Sequence, residues 1–127
     1  MPYHRVFVSS TFEDLQAYRK AVVHAIRHHP RAIDISMEHF GACDERPKQE
    51  CLRLVREESD IFVAIYAHRY GFIPEGDEVS ITEAEYDEAL SKGLPCLIYL
   101  VDEHIAWKPA FIDKDQAEER LARFKHR

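Results

Sequence analysis

Apolar residues fall along this chain in two patterns, compact blocks in which almost every position is apolar and longer stretches with apolar positions three or four apart. That alternation predicts β-α-β units around a parallel sheet. RVFVSS (5–10) reads as the first strand. A helix is expected from about Phe12 to His29, with Leu15, Tyr18, Val22, Ala25 and Ile26 on its inner face and Pro30 as its stop. AIDISMEHF (32–40) alternates Ile33, Ile35, Met37 and His39 with polar or small neighbours, as a strand near a sheet edge does. Pro47 suits the first turn of a second helix, whose core stripe is Cys51, Leu54 and Val55. DIFVAIYAHRY (60–70) is continuously apolar from Ile61 to Ala67, the pattern of a strand covered on both faces. An acidic helix follows the loop GFIPEGDEVS and stops at Gly93-Leu94-Pro95, after which PCLIYLV (95–101) predicts a fourth buried strand. A last helix carries Ala117, Leu121 and Phe124.

The expectation is one α/β domain over residues 1–127, with helices on both faces of a parallel sheet of four or five strands in the flavodoxin-like order 2-1-3-4(-5). Because no turn signal closes the last helix, the chain is expected to continue into a larger protein.

Composition narrows the function classes. With 127 residues, 46% of them hydrophobic and 31% charged, the chain can bury a real core. A net charge of −6 opposes a general nucleic-acid binder, which needs a basic face to displace counterions. Apolar runs of about seven residues fall far short of the roughly 18 that suggest a membrane span. MPYHRVFV lacks the pattern of a secretory leader, so no membrane association and a cytoplasmic location are expected. Cys43, Cys51 and Cys96 form no CxxC pair and read as reduced thiols, Cys96 within a core strand. His24 and His28 stand at i, i+4, but Ala25 follows His24 where HExxH needs Glu, so no metal site is expected.

In a parallel sheet of this order, ligands bind beyond the carboxyl ends of the first and third strands. Ser9, Ser10, Thr11 and Phe12 would line that crevice from one side, and His68, Arg69, Tyr70 and Gly71 from the other. The three hydroxyls suit a phosphate or a sugar. They suit equally a capping box, Ser10 with Glu13 or Thr11 with Asp14, whose task is to start the helix. Arg69 pairs either with a ligand phosphate or with a neighbouring acid.

SITEAEYDEAL (80–90) packs Glu83, Glu85, Asp87 and Glu88 into the start of the acidic helix. If Ser80 caps it, Glu83 is the capping partner and Glu85 is left over; if Thr82 caps it, Glu85 takes that role. Tyr86, Ala89 and Leu90 define the expected buried side, with Glu83 and Glu85 on its shoulders and Glu88 paired to Lys92. Glu85 is the preferred acid for chemistry because Ala89, one turn on, leaves room beside it.

VFVSSTFEDLQAYR (6–19), SDIFVAIYAHRYG (59–71) and SITEAEYDEAL followed by KGLP together resemble an uncharacterised TIR-like domain family. That family stands N-terminal to NACHT-type ATPase modules and TPR or WD repeats, and the resemblance covers roughly residues 4–103. It implies kinship in fold with TIR domains and nucleoside 2-deoxyribosyltransferases, which break N-glycosidic bonds with a glutamate at the start of the helix after the third strand. The transferase pattern E-x-x-x-A falls here on Glu85-Tyr86-Asp87-Glu88-Ala89, while the companion aspartate has no convincing counterpart. The resemblance therefore implies a catalytic Glu85, with Ser9, Ser10 and Thr11 holding ribose or phosphate and Phe12 or Tyr70 stacking on a base. NAD or a related nucleotide is the implied substrate, with no bound cofactor, and self-association and C-terminal NACHT, TPR or WD-type domains are the implied partners. The alternative is a non-catalytic module that docks onto itself or another protein.

Overall fold

The computed structural model describes residues 4–11, 14–35, 48–71, 73–101 and 107–126. The expected strand beyond Ile35, with Met37 and His39, and also Phe12, Glu13, Cys43 and Pro47 lie outside those residues. In chain order the elements are β1 (His4–Ser9), α1 (Gln16–Arg27), β2 (Ala32–Asp34), α2 (Lys48–Glu58), β3 (Ile61–Tyr66), α3 (Ile81–Lys92), β4 (Cys96–Leu100) and α4 (Asp115–Lys125). The four strands form one parallel sheet in the order β2-β1-β3-β4, as the apolar blocks predict.

The pleat of β1 and β3 divides the core into two layers. Phe7, Phe62, Ala64 and Tyr66 face one side, against Leu54 and Val55 of α2, Ala89 of α3 and Leu121 and Phe124 of α4. The rings of Phe7 and Phe62 stack across the pair with centroids 6.1 Å apart. Val6, Val8 and Val63 face the other side, where Val22 and Ile26 of α1 cover them. The inner face of α1 keeps Leu15, Val22 and Ile26 but is shifted toward Arg19 and Val23 and away from Tyr18 and Ala25. Leu15 before the helix and Arg19 and Val23 within it are buried, whereas Tyr18 is 42% exposed and Ala25 is exposed.

The fourth strand also differs from expectation. Leu97, Ile98, Tyr99 and Leu100 are 51%, 38%, 57% and 55% exposed among the described residues. α1 lies over β1 and β3, and α4 seats on Tyr66, Tyr70 and Tyr86, so neither helix reaches across the outermost strand. An apolar groove of about 420 Å³ runs between α1 and this strand, walled by Tyr18, Val22, Ile26 and Tyr99.

The lower end of the β1–β3 pair is clasped by one acid. The Asp60 carboxylate accepts the Arg5 amide at 2.8 Å and the Arg5 side chain at 3.3 and 3.4 Å. Those contacts, the backbone amide first, hold the Asp60 carboxyl below its ordinary value. Since the folded state has the lower value, the stabilisation is present above the ordinary carboxylate range and lost as pH falls through the folded value. Both side chains are more than a third exposed, so Asp60→Asn is expected to cost only about 0.5 kcal/mol near neutral pH. In urea titrations the variant and the parent should differ at pH 7 and converge in acid; a difference that persists unchanged in acid would contradict this assignment.

Candidate functional site

The parallel register sets Ser9 beside Ala64, so the turn that leaves β1 lies alongside the turn that leaves β3. The pleat then sends consecutive hydroxyls to opposite faces. Ser9 follows Phe7 toward α3, and its hydroxyl donates to Glu85 Oε1 at 2.7 Å in a fully buried contact. Ser10 follows Val8 toward α1, where it accepts from Arg19 Nη1 at 2.7 Å and donates to the Thr11 carbonyl at 2.7 Å. Thr11 donates to Asp14 Oδ1 at 2.5 Å, and Arg69 Nη1 approaches the same oxygen at 3.5 Å. None of these hydroxyls caps α1, whose N-cap is Leu15 without a side-chain hydrogen bond.

The start of α3 resolves the capping alternatives. Ser80 is the N-cap, with its Oγ accepting the Glu83 amide at 3.1 Å, and Glu85 is thereby left out of the cap. The Glu83 carboxylate does not turn back to the Ser80 amide as a simple capping box would. The Tyr70 hydroxyl stands between them, accepting from the Ser80 amide at 3.2 Å and donating to Glu83 Oε1 at 2.5 Å. Burial, and then the bond to the Glu83 carboxylate, push the Tyr70 phenol above its ordinary value. One turn into the helix Glu85 faces the sheet with 2% of its surface accessible, far more enclosed than a shoulder position implies.

Gly71 lets the two turns close over this point. Its φ of 102° is open to glycine, and a Cβ there would lie 3.1 Å from Thr82 Oγ1 and 3.2 Å from Thr11 Cγ2. A strap from further along the chain fixes the same turn: the Asp113 amide donates to the His68 carbonyl at 2.8 Å, and Asp113 Oδ2 accepts the Tyr70 amide at 2.5 Å. Tyr66, at the end of β3, lies against Phe124 with ring centroids 4.7 Å apart, and its hydroxyl has no hydrogen-bond partner among the described residues. Burial, followed by the negative charge of Glu85, pushes its phenol far above the ordinary value.

Of the residues expected at the site, the structure brings together Ser9 and Glu85 on the α3 side, and Thr11 and Arg69 through Asp14. Ser10 is turned away to α1, with both hydrogen-bonding roles of its hydroxyl used by the protein. Tyr70 is 2% exposed and its ring meets Phe124 edge-on, so its place is in the cap of α3 rather than on an open stacking surface. Phe12 lies outside the described residues. Glu88 pairs with Arg56 of α2 at 2.7 Å instead of with Lys92. Sequence reasoning missed Arg19 and Asp113, and named Asp14 only as a capping partner of Thr11, which it does meet, though not as a cap of α1. For Arg19 a signal existed: it stands four residues after Leu15 and four before Val23, a cation on the buried stripe. His24 and His28 lie on the exposed side of α1 with ring centroids 4.0 Å apart, and no group of three metal-ligating side chains occurs among the described residues.

Residues 5–127 match a family whose description is Domain of unknown function (DUF4062). The chain is 28% identical over 166 aligned positions to "Telomerase protein component 1" of Mus musculus, an alignment that takes in 95% of this chain and 6% of that protein. No solved structure matches significantly.

The closure over Gly71 makes a measurable claim. Gly71→Ala forces an L side chain into positive φ and against Thr82 and Thr11, and is expected to destabilise the domain by about 1–3 kcal/mol in denaturant titrations. A variant as stable as the parent would mean that the two turns are not packed as described.

Proposed function

The chain belongs to the DUF4062 family, and from the geometry around Glu85 we propose that it is a TIR-like effector domain that cleaves the N-glycosidic bond of NAD or a related nucleotide. The observation that carries this reading is a single one. A glutamate left over from helix capping is buried at the carboxyl ends of β1 and β3, where ligands of such sheets bind, and is oriented by a serine from the other strand. A carboxylate held in this way is suited to oxocarbenium chemistry. As the ribosyl C–N bond breaks, the base leaves with the electron pair and positive charge develops on the sugar. Ionised Glu85 stabilises that charge or bonds to the anomeric carbon. Water then adds to that carbon and gives up a proton, leaving the free sugar hydroxyl. Ser9 acts on Glu85 rather than on the substrate, fixing one oxygen so that little reorganisation is needed when charge appears. The larger assembly is part of the proposal: NACHT-type and repeat domains would follow in the full protein, which fits a chain that spans 6% of the length of its relative.

The exposed strand β4 favours a second reading, a module that docks onto itself or another protein. The relative's name, a protein component of telomerase, is in keeping with a part of an assembly.

Two experiments separate the readings. Glu85→Gln keeps the shape and removes the charge, and should lower nicotinamide release from NAD by on the order of 100-fold or more; undiminished release would remove Glu85 from the chemistry. Leu97→Lys with Tyr99→Lys should shift sedimentation toward monomer while sparing that activity. If the lysine variant associates like the parent, β4 is not a docking strand.

A further inference from the structure

We propose that Asp14 is a hydroxyl-binding residue, whose Oδ2 accepts a hydrogen bond from the 2-hydroxyl of the ribose bound beside Glu85. The inference rests on the reading of the crevice as a ribosyl-nucleotide site and adds a residue that recognises the sugar. Asp14 has a side chain with 0% of its surface accessible, and its two oxygens are used unequally. Oδ1 accepts from Thr11 at 2.5 Å and lies 3.5 Å from Arg69 Nη1. Oδ2 is equally hidden from water and has no hydrogen-bond partner among the described residues. Leaving a buried carboxylate oxygen unsatisfied is costly, and a donor supplied by a ligand removes that cost.

The neighbouring groups select the kind of donor. Arg69 already offsets the charge of Asp14, so a second cation would leave the pair over-compensated in a poorly hydrated place, whereas a neutral hydroxyl satisfies the oxygen without adding charge. The position also fits a sugar. Thr11, which holds Oδ1, is two residues beyond the serine that holds Glu85, and the methyl of Thr11 and the hydroxyl of Thr82 both border Gly71. Asp14 stands at the turn into α1 and Glu85 near the start of α3, so in the proposed crevice the two carboxylates would approach the ribose from opposite sides. A carboxylate acting on the anomeric carbon and another on the adjacent hydroxyl would orient the ring between them.

Calorimetric titration with ADP-ribose, whose terminal ribose carries no base, tests this subsite without requiring turnover. Its outcome is therefore distinct from any failure of NAD cleavage. The 127-residue chain should bind ADP-ribose, and an analogue lacking the 2-hydroxyl of the terminal ribose should bind about 10- to 100-fold more weakly, as expected for a hydrogen bond to a charged acceptor. Asp14→Asn should lose affinity by a similar factor and should no longer distinguish the two ligands. The proposal is overturned by a parent chain that binds neither ligand at millimolar concentration, or by an Asn variant that binds as tightly as the parent. It is overturned equally by losses from the two changes that simply multiply. If the Asn variant does not fold, the analogue decides alone on the parent protein, where equal affinity for both ligands rules out contact with the hydroxyl.

Discussion

Glu85 is a carboxylate with almost no access to water, and the upper half of the molecule is arranged around the cost of keeping it there. Removing a carboxylate from solvent is costly by several kcal/mol unless polar partners replace the lost hydration. Ser9 is one such partner, at 2.7 Å, and it comes from a strand 76 residues away in sequence. For that bond to exist, β1 must lie against β3, Ser9 must be on the α3 face, and α3 must begin at Ser80 rather than at Thr82. Each of those conditions is met by a different part of the chain, which makes the contact a point of agreement between sheet register, pleat and helix capping.

The side chains around it divide their work by face. On the α3 side the Tyr70 hydroxyl joins the loop after β3 to both the cap residue and the first-turn acid of the helix, so loop and helix are set as one unit. Asp113 grips the same loop through two backbone groups, and a segment far along the chain thereby shares in positioning Arg69. On the α1 side Ser10 accepts a hydrogen bond from a buried arginine, and Thr11 and Arg69 hold Asp14. A turn of three consecutive hydroxyls, uniform in sequence, is in space three separate devices.

Much of the architecture was legible because a parallel sheet covered on both sides needs strands that are apolar on both faces, and RVFVSS and DIFVAIYAHRY carry that pattern plainly. The preference for Glu85 over Glu83 was harder to read, since Ser80 and Thr82 both fit a cap with an acid three residues on. What decides between them is the Tyr70 hydroxyl, a tertiary partner invisible to local spacing. Arg19 was legible in principle from its place between Leu15 and Val23, yet a charged residue does not register in a search for an apolar stripe. The exposure of Leu97 to Leu100 could not be read at all, because the strand has the composition of a buried one and its cover depends on where α1 and α4 lie across the sheet.

The order of pairing in the sheet bears on how the molecule is made. β1 finds its neighbour β3 only after more than fifty further residues have been synthesised, and it is wedged between two strands that both follow it. While the nascent chain leaves the ribosome, β1 therefore waits without its principal mate. Ser9 meets Glu85 later again, and the Asp113 strap closes after that. The Ser9–Glu85 contact and the Asp113 strap are among the last features to take shape, so a partly synthesised chain has a core in the making before it has either.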